Sequence, residues 1–243
     1  MTEDKAFERV TNLIGEQAFS ILKKSSVAVF GVGGVGGYVV EALVRSGVGK
    51  ITVFDNDVID FSNLNRQIVS TINNIGQDKV EAVKNRALSI NENVEIICNK
   101  VFYLPENADN YPLNDYDYIV DAVDTISAKI EIISRAKQCN VPIISCMGTG
   151  GKISPERLKV ADIEKTSVCP LARVIRRELK KRNIFNVKVV YSDQENYKNS
   201  QTLEKNGQSR KSIPPSMIFV PAAAGLLIAK EVVFDIIEKN CRI

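Results

Sequence analysis

The chain has 243 residues, 44% hydrophobic and 25% charged, with a net charge of +3, which suits one sizeable core or one domain with an elaborated second half. It contains zero histidines, which excludes Ser-His-Asp triads, Cys-His pairs, histidine metal sites and histidine acid–base chemistry, so reactions must run on carboxylates, lysines, arginines and backbone amides. The near-balanced charge means that any nucleic-acid affinity has to come from a local patch. The five cysteines, Cys98, Cys139, Cys146, Cys169 and Cys241, form no C-x-x-C pair, which removes zinc knuckles and thioredoxin-type motifs. The longest apolar run, Met217 to Ala229, is shorter than the roughly 18 residues that a bilayer span needs, and "MTEDKAFER" is not signal-like. A cytoplasmic protein with no membrane partner is expected.

In chain order, β-like apolar runs alternate with helical ones. Strands are expected at Val27–Phe30, Ile51–Phe54, Val94–Asn99, Tyr118–Asp121 and Ile143–Met147, and helices at Val35–Ser46, Asp78–Ile90 and Ser127–Cys139. Such alternation predicts an α/β fold: a Rossmann-like parallel sheet with covering helices, extended by a smaller mixed C-terminal part. Beyond "GTGGKISPERL" the pattern loosens into a short strand (Leu158–Ala161), a helix (Pro170–Arg182), a strand (Val187–Tyr191) and a closing helix (Ala222–Ile237). A polar segment at about 192–216 is long for a compact domain and is expected to be mobile.

The stretch "FGVGGVGG" places Gly31, Gly33, Gly34 and Gly36 between the first strand and the first covering helix. Glycines at this spacing permit a tight turn and let amides and a helix N-terminus approach phosphates. Asp55, ending the second strand in "TVFD", is positioned to accept both hydroxyls of a ribose. NAD and ATP both carry such a ribose. The residues beyond Asp55 favour ATP: Arg66, Lys79 and the carboxylates Asp121 and Asp124 fall around the carboxyl ends of the strands. A reaction at an α-phosphate needs cations to neutralise charge and carboxylate to hold Mg²⁺. Asp121 serves equally as a ligand or as a structural hydrogen-bonding carboxylate. Lys79 opens a helix, where a cation is disfavoured by the macrodipole, so its position implies a nearby anion.

"GVGGVGG", "FDNDVID", "SNLNRQ", "GQDKVEA" and "VDAVDT" resemble, in order and spacing, the ThiF/MoeB-like superfamily of adenylating enzymes related to ubiquitin activators. The resemblance implies ATP and Mg²⁺ as cofactors. It puts Asp55 on the ribose, Asp57, Asn63, Arg66 and Gln67 around the nucleotide, Lys79 on the phosphates and Asp124 on the metal. Arg9 matches an N-terminal arginine that reaches into the neighbouring subunit's site, which implies a homodimer. Catalysis would then rest on Arg66, Lys79 and Arg9.

The stretch from "GTGGKISPERLKVADIEKTSVCPLARVIRRELKK" through "VKVVYSDQE" to "FVPAAAGLLIAKEVV" resembles the branch of tRNA threonylcarbamoyladenosine dehydratases, and it lacks the zinc-binding cysteine tetrad of carrier-protein activators. In "CPLARVIRRELKKR", Leu171, Val174, Ile175 and Leu179 share one helix side, and Arg173, Arg176, Arg177, Lys180 and Lys181 the other. Either this is a solvated face or it meets a phosphate backbone. Lys198, Lys205, Arg210 and Lys211 are possible additional contacts. Cys169, just before that helix, is the one plausible covalent residue, although cyclisation within the substrate needs no enzyme nucleophile. The expected organisation is an ATP-binding adenylation domain over 1–150 and a C-terminal extension over 151–243 packed on it. The expected reaction is ATP-dependent cyclisation of threonylcarbamoyladenosine beside the anticodon, with a sulfur-relay helper protein as a possible partner. The rivals are an adenylyltransferase for a ubiquitin-like or sulfur-carrier C-terminus, a non-catalytic tRNA or sulfur-relay scaffold, and an NAD oxidoreductase.

Overall fold

The structure is a computed structural model that describes residues 3–197 and 215–241. Most of the segment expected to be mobile, with Lys198, Lys205, Arg210 and Lys211, lies outside the described residues. The chain opens with two helices, α1 (Glu3–Ile14) and α2 (Glu16–Lys24). There follow β1 (Ser26–Phe30), α3 (Gly36–Arg45), β2 (Lys50–Phe54), α4 (Lys79–Ile90), β3 (Glu95–Asn99), β4 (Tyr118–Asp121), α5 (Ile126–Gln138) and β5 (Ile143–Cys146). The second half supplies β6 (Leu158–Asp162), α6 (Pro170–Lys181), β7 (Lys188–Ser192) and α7 (Phe219–Asn240).

All seven strands join one sheet in the order β3-β2-β1-β4-β5-β7-β6. Every neighbouring pair is parallel except β6 with β7. The strands at the centre of the sheet are buried on both faces, which is why they read as apolar runs and not as alternations. Val27 and Val29 of β1 pack toward α2, α3, α4 and α7, whereas Ala28 and Phe30 pack toward α5 and α6. Strand order runs outward in opposite directions from β1 and β4. That is a topological switch point, where open α/β sheets leave a crevice beyond the strand ends.

The Rossmann-like expectation is therefore met, with strand and helix ends within a residue or two for most elements. The closing helix is longer than expected, and the two N-terminal helices were not foreseen. Helix α1 is held by Phe7, which packs on Phe19 of α2 with ring centroids 5.4 Å apart. Helix α7 lies across α3. A Cβ on Gly225 would stand 2.6 Å from the Val35 carbonyl oxygen, so only glycine permits this approach. Lys188 of β7 donates to Asp235 at 2.7 Å, and Tyr118 of β4 donates to the same carboxylate at 2.6 Å. These bonds tie the helix of the second half to the strands beneath it.

Candidate nucleotide site

The turn after β1 needs bare backbone at two points. Gly31 has φ +81°, and a Cβ there would lie 2.9 Å from the Ala122 carbonyl oxygen; a Cβ on Gly36 would lie 1.8 Å from the Gly31 carbonyl oxygen. Helix α3 can start so close to β1 only for this reason, and its N-terminus then opens on the crevice. Gly33 and Gly34 differ. A Cβ there would meet Gln67 at 3.6 Å from Gly33, and Arg66 and Pro221 at 3.5 Å from Gly34, all ordinary contact distances, so packing within the chain does not demand glycine at either position.

Asp55 sits where β2 ends. One carboxylate oxygen accepts from the Val32 amide at 2.9 Å and the other from the Asp57 amide at 2.9 Å. Burial pushes its pKa above the usual carboxylate value, opposed by the Lys79 charge and by these two amide bonds. Lys79 is buried at the start of α4 and meets Asp57 at 2.7 Å. The anion that its helix position required is thus supplied by the protein itself.

The crevice holds about 480 Å³ and gathers Gly31, Gly33, Gly34, Asp55, Asp57, Asn63, Arg66, Gln67, Lys79 and Asp124 from separate loops. Asn63 ends a short helical turn capped by Asp60, whose amide donates to Asn63 at 3.0 Å, and Arg66 follows in the next turn with its amide bonded to the Asn63 carbonyl at 3.1 Å. Arg66 is aimed by its bonds to the Ser62 carbonyl at 2.7 Å and the Asn65 side chain at 2.8 Å. One wall is apolar, made by Phe54, Val101, Phe102 and Tyr103. It was missed in the sequence, although two aromatic residues just beyond the carboxyl end of β3 were the available signal. Thr149, Ser216 and Pro221, also lining the mouth, gave no such signal.

The structure separates the two carboxylates of "VDAVDT". Asp121 is fully buried, accepting from Lys129 at 2.8 Å, Ser145 at 2.5 Å and the Val123 amide at 3.2 Å; burial pushes its pKa up. Of the two roles open to it, the structure gives it the structural one. It fixes the loop that carries Asp124, which lies exposed on the lip of the crevice. Of the three crevice carboxylates, Asp55 accepts from two amides and Asp57 from Lys79, so Asp124 is the one that suits Mg²⁺, which is usually held by one or two carboxylates plus substrate phosphates and water.

Arg9 is exposed on α1 and does not line the crevice of its own chain. Cys169 caps the start of α6 and is buried in the core. On α6, Ala172, Ile175 and Leu179 are buried, and Val174 only partly so. The cations of this helix have different surroundings. Arg176 donates to the Thr166 carbonyl and hydroxyl, both at 2.8 Å, and closes the preceding turn. Lys181 pairs with Glu178 at 2.7 Å, and Arg177 approaches the same carboxylate at 3.6 Å. Arg173 and Lys180 have no ion pair among the described residues.

A doubly wound sheet with a glycine turn, a carboxylate at the end of its second strand and cations gathered at its switch point defines a nucleotide-binding α/β protein. The chain belongs to the ThiF family, whose model matches residues 7–236. It is 39% identical over 240 residues to the tRNA threonylcarbamoyladenosine dehydratase of Bacillus subtilis (strain 168), covering 96% of this chain and 94% of that one. Among solved structures it resembles the E. coli tRNA N6-threonylcarbamoyladenosine dehydratase in complex with ATP, with a TM-score of 0.88 and 28% identity over 98% of this chain and 96% of that one. The complex of the same E. coli enzyme with AMP gives a TM-score of 0.89, at 28% identity over 99% of this chain and 97% of that one. No helix among the described residues is long and apolar enough to cross a membrane.

Proposed function

We propose that this chain is an ATP-dependent dehydratase that cyclises threonylcarbamoyladenosine in tRNA. The observation that carries the reading is full-length agreement with dehydratases of that name. It extends through the second half, where the basic helix lies, and is not confined to the glycine turn.

In this reading the apolar wall of Phe54, Val101, Phe102 and Tyr103 receives the adenine and Asp55 accepts the ribose hydroxyls. Gly33, Gly34 and the N-terminus of α3 border the phosphates. The threonyl carboxylate attacks the α-phosphorus and pyrophosphate leaves, which gives a mixed anhydride. The carbamoyl group of the same nucleotide then attacks the activated carbonyl, loses a proton, and AMP departs with the former carboxylate oxygen. The net change on the tRNA is loss of one water. Ring closure is fast because its nucleophile is already attached. Lys79 and Arg66 act electrostatically on the charge that develops at phosphorus, so no histidine is required. Asp124 would hold Mg²⁺, which supplies further charge neutralisation at the phosphates. Cys169, buried at the N-terminus of α6, takes no part. The same reading carries a homodimer in which Arg9 completes the neighbouring site, a cytoplasmic place of action, and a sulfur-relay helper protein as a further partner. Contacts to tRNA are assigned to α6, through Arg173, Arg177 and Lys180 first, with Arg176 and Lys181 at its margins.

The test is mass spectrometry of nucleosides after tRNA bearing threonylcarbamoyladenosine is incubated with the protein, ATP and Mg²⁺. A nucleoside lighter by one water, formed only with ATP, is expected. ATP–pyrophosphate exchange driven by a carrier protein with a Gly-Gly tail, with none driven by tRNA, would reverse the assignment toward a carrier-protein adenylyltransferase.

A further inference from the structure

Beside α6 lies a second cavity of about 480 Å³, outside the nucleotide crevice. Its lining combines the cations Arg173, Arg176, Arg177 and Lys180 with the apolar Ile163, Val174, Ile184 and Phe185, and a single carboxylate, Glu164. Phe185 is 42% exposed. The ring keeps an accessible apolar face next to the four cations, an arrangement that suits an aromatic ligand carrying negative charge.

The turn that carries Phe185 is firmly held. Asn183 and Asn186 flank it with φ +56° each, a left-handed conformation that asparagine adopts readily. The Asn183 and Ile184 amides donate to the Lys180 and Leu179 carbonyls at 3.1 and 3.0 Å, closing the end of α6. Lys137 of α5 donates to the Asn186 carbonyl at 2.7 Å from the other side. Phe185 is therefore presented by a turn fixed at both ends. Val174 also lines a neighbouring groove with Ile126 and Ser127, at the start of α5, and with Glu131 and Glu178.

We propose that Phe185 is a stacking platform for one unpaired base of the RNA substrate, with Arg173, Arg177 and Lys180 holding the phosphates on either side of that base. Every base offers a π-face to an aromatic ring, and cations flanking such a ring are the common device for single strands. The inference rests on the tRNA reading above and adds where an unpaired nucleotide is held.

The chain contains no tryptophan, so Phe185→Trp introduces a unique fluorophore at the platform. Its emission is expected to be quenched on saturation with an anticodon stem-loop RNA and to stay unchanged with a blunt RNA duplex of the same length. Phe185→Leu keeps an apolar side chain without a stacking face. It is expected to weaken stem-loop binding about tenfold or more, to leave duplex binding and ATP binding as in the parent, and to keep the parent's salt slope. Unchanged stem-loop affinity in Phe185→Leu, or unquenched Trp emission with stem-loop bound, overturns the platform while the tRNA reading stands if the parent still converts tRNA. A parent that neither binds nor converts tRNA overturns both.

Discussion

Asp55 is placed where its charge is disfavoured, yet a ribose contact through two accepted hydrogen bonds needs the ionised form. Burial raises its pKa and the Lys79 charge lowers it. Protonation below that raised pKa replaces an acceptor by a neutral acid, so ATP affinity should fall with falling pH, beginning above the ordinary aspartate value of about 3.9. Replacing Lys79 with methionine removes the opposing charge, and the acid limb should move to still higher pH. Calorimetric titration of ATP at a series of pH values reads the limb; a limb that stays put in Lys79→Met would disconnect the two groups. Asp55→Ala should weaken ATP by about 1.5–3 kcal/mol, the range for hydrogen bonds to charged groups, while leaving tRNA binding unaltered.

At the scale of elements, α6 and α7 do separate work. Reversing Arg173, Arg177 and Lys180 to glutamate leaves Ala172, Ile175 and Leu179 packed, so the fold and ATP binding should persist. The slope of log tRNA affinity against log salt should flatten by about 0.7–0.9 for each phosphate that the helix no longer neutralises. Arg176 is left out of this variant because its bonds to Thr166 close a turn, and its removal would mix binding with folding. An unchanged slope would make the helix face an ordinary solvated surface. On α7, Gly225→Ala puts a methyl group 2.6 Å from the Val35 carbonyl, against the start of α3. Overpacking of this kind costs about 1–3 kcal/mol. Urea denaturation should register the loss, and ATP affinity should weaken with it, because Val35 lines the crevice.

For the whole molecule, the question is whether one chain makes a complete site. Arg9 stands exposed on α1, away from its own crevice, so a role in catalysis requires a second copy. Arg9→Ala and Lys79→Ala subunits should each be inactive alone. Mixed, they should form a heterodimer with one site intact and one lacking both residues, and part of the activity should return. No recovery despite subunit exchange, followed by native mass spectrometry, would confine Arg9 to a structural role.

The sequence by itself determined what is local in chain distance. The parallel strands are runs rich in β-branched residues, the glycine turn is read over seven residues, and Asp55 follows from its place at the end of β2. Lys79 at a helix start even announced a partner anion, because a helix N-terminus disfavours a cation wherever the helix lies. What only the tertiary structure decided depends on elements far apart in the chain. Asp121 and Asp124 lie three residues apart in one motif, but the fold turns the first inward to Lys129 and leaves the second on the crevice lip. Periodicity gave Arg176 the same standing as Arg173, and only the packing of Thr166 against α6 distinguishes them. The apolar wall at Val101–Tyr103 and the presented ring of Phe185 belong to loops, where no hydrophobic period exists to read. Their neighbours arrive from other strands and helices, and it is those neighbours that define them as parts of a site.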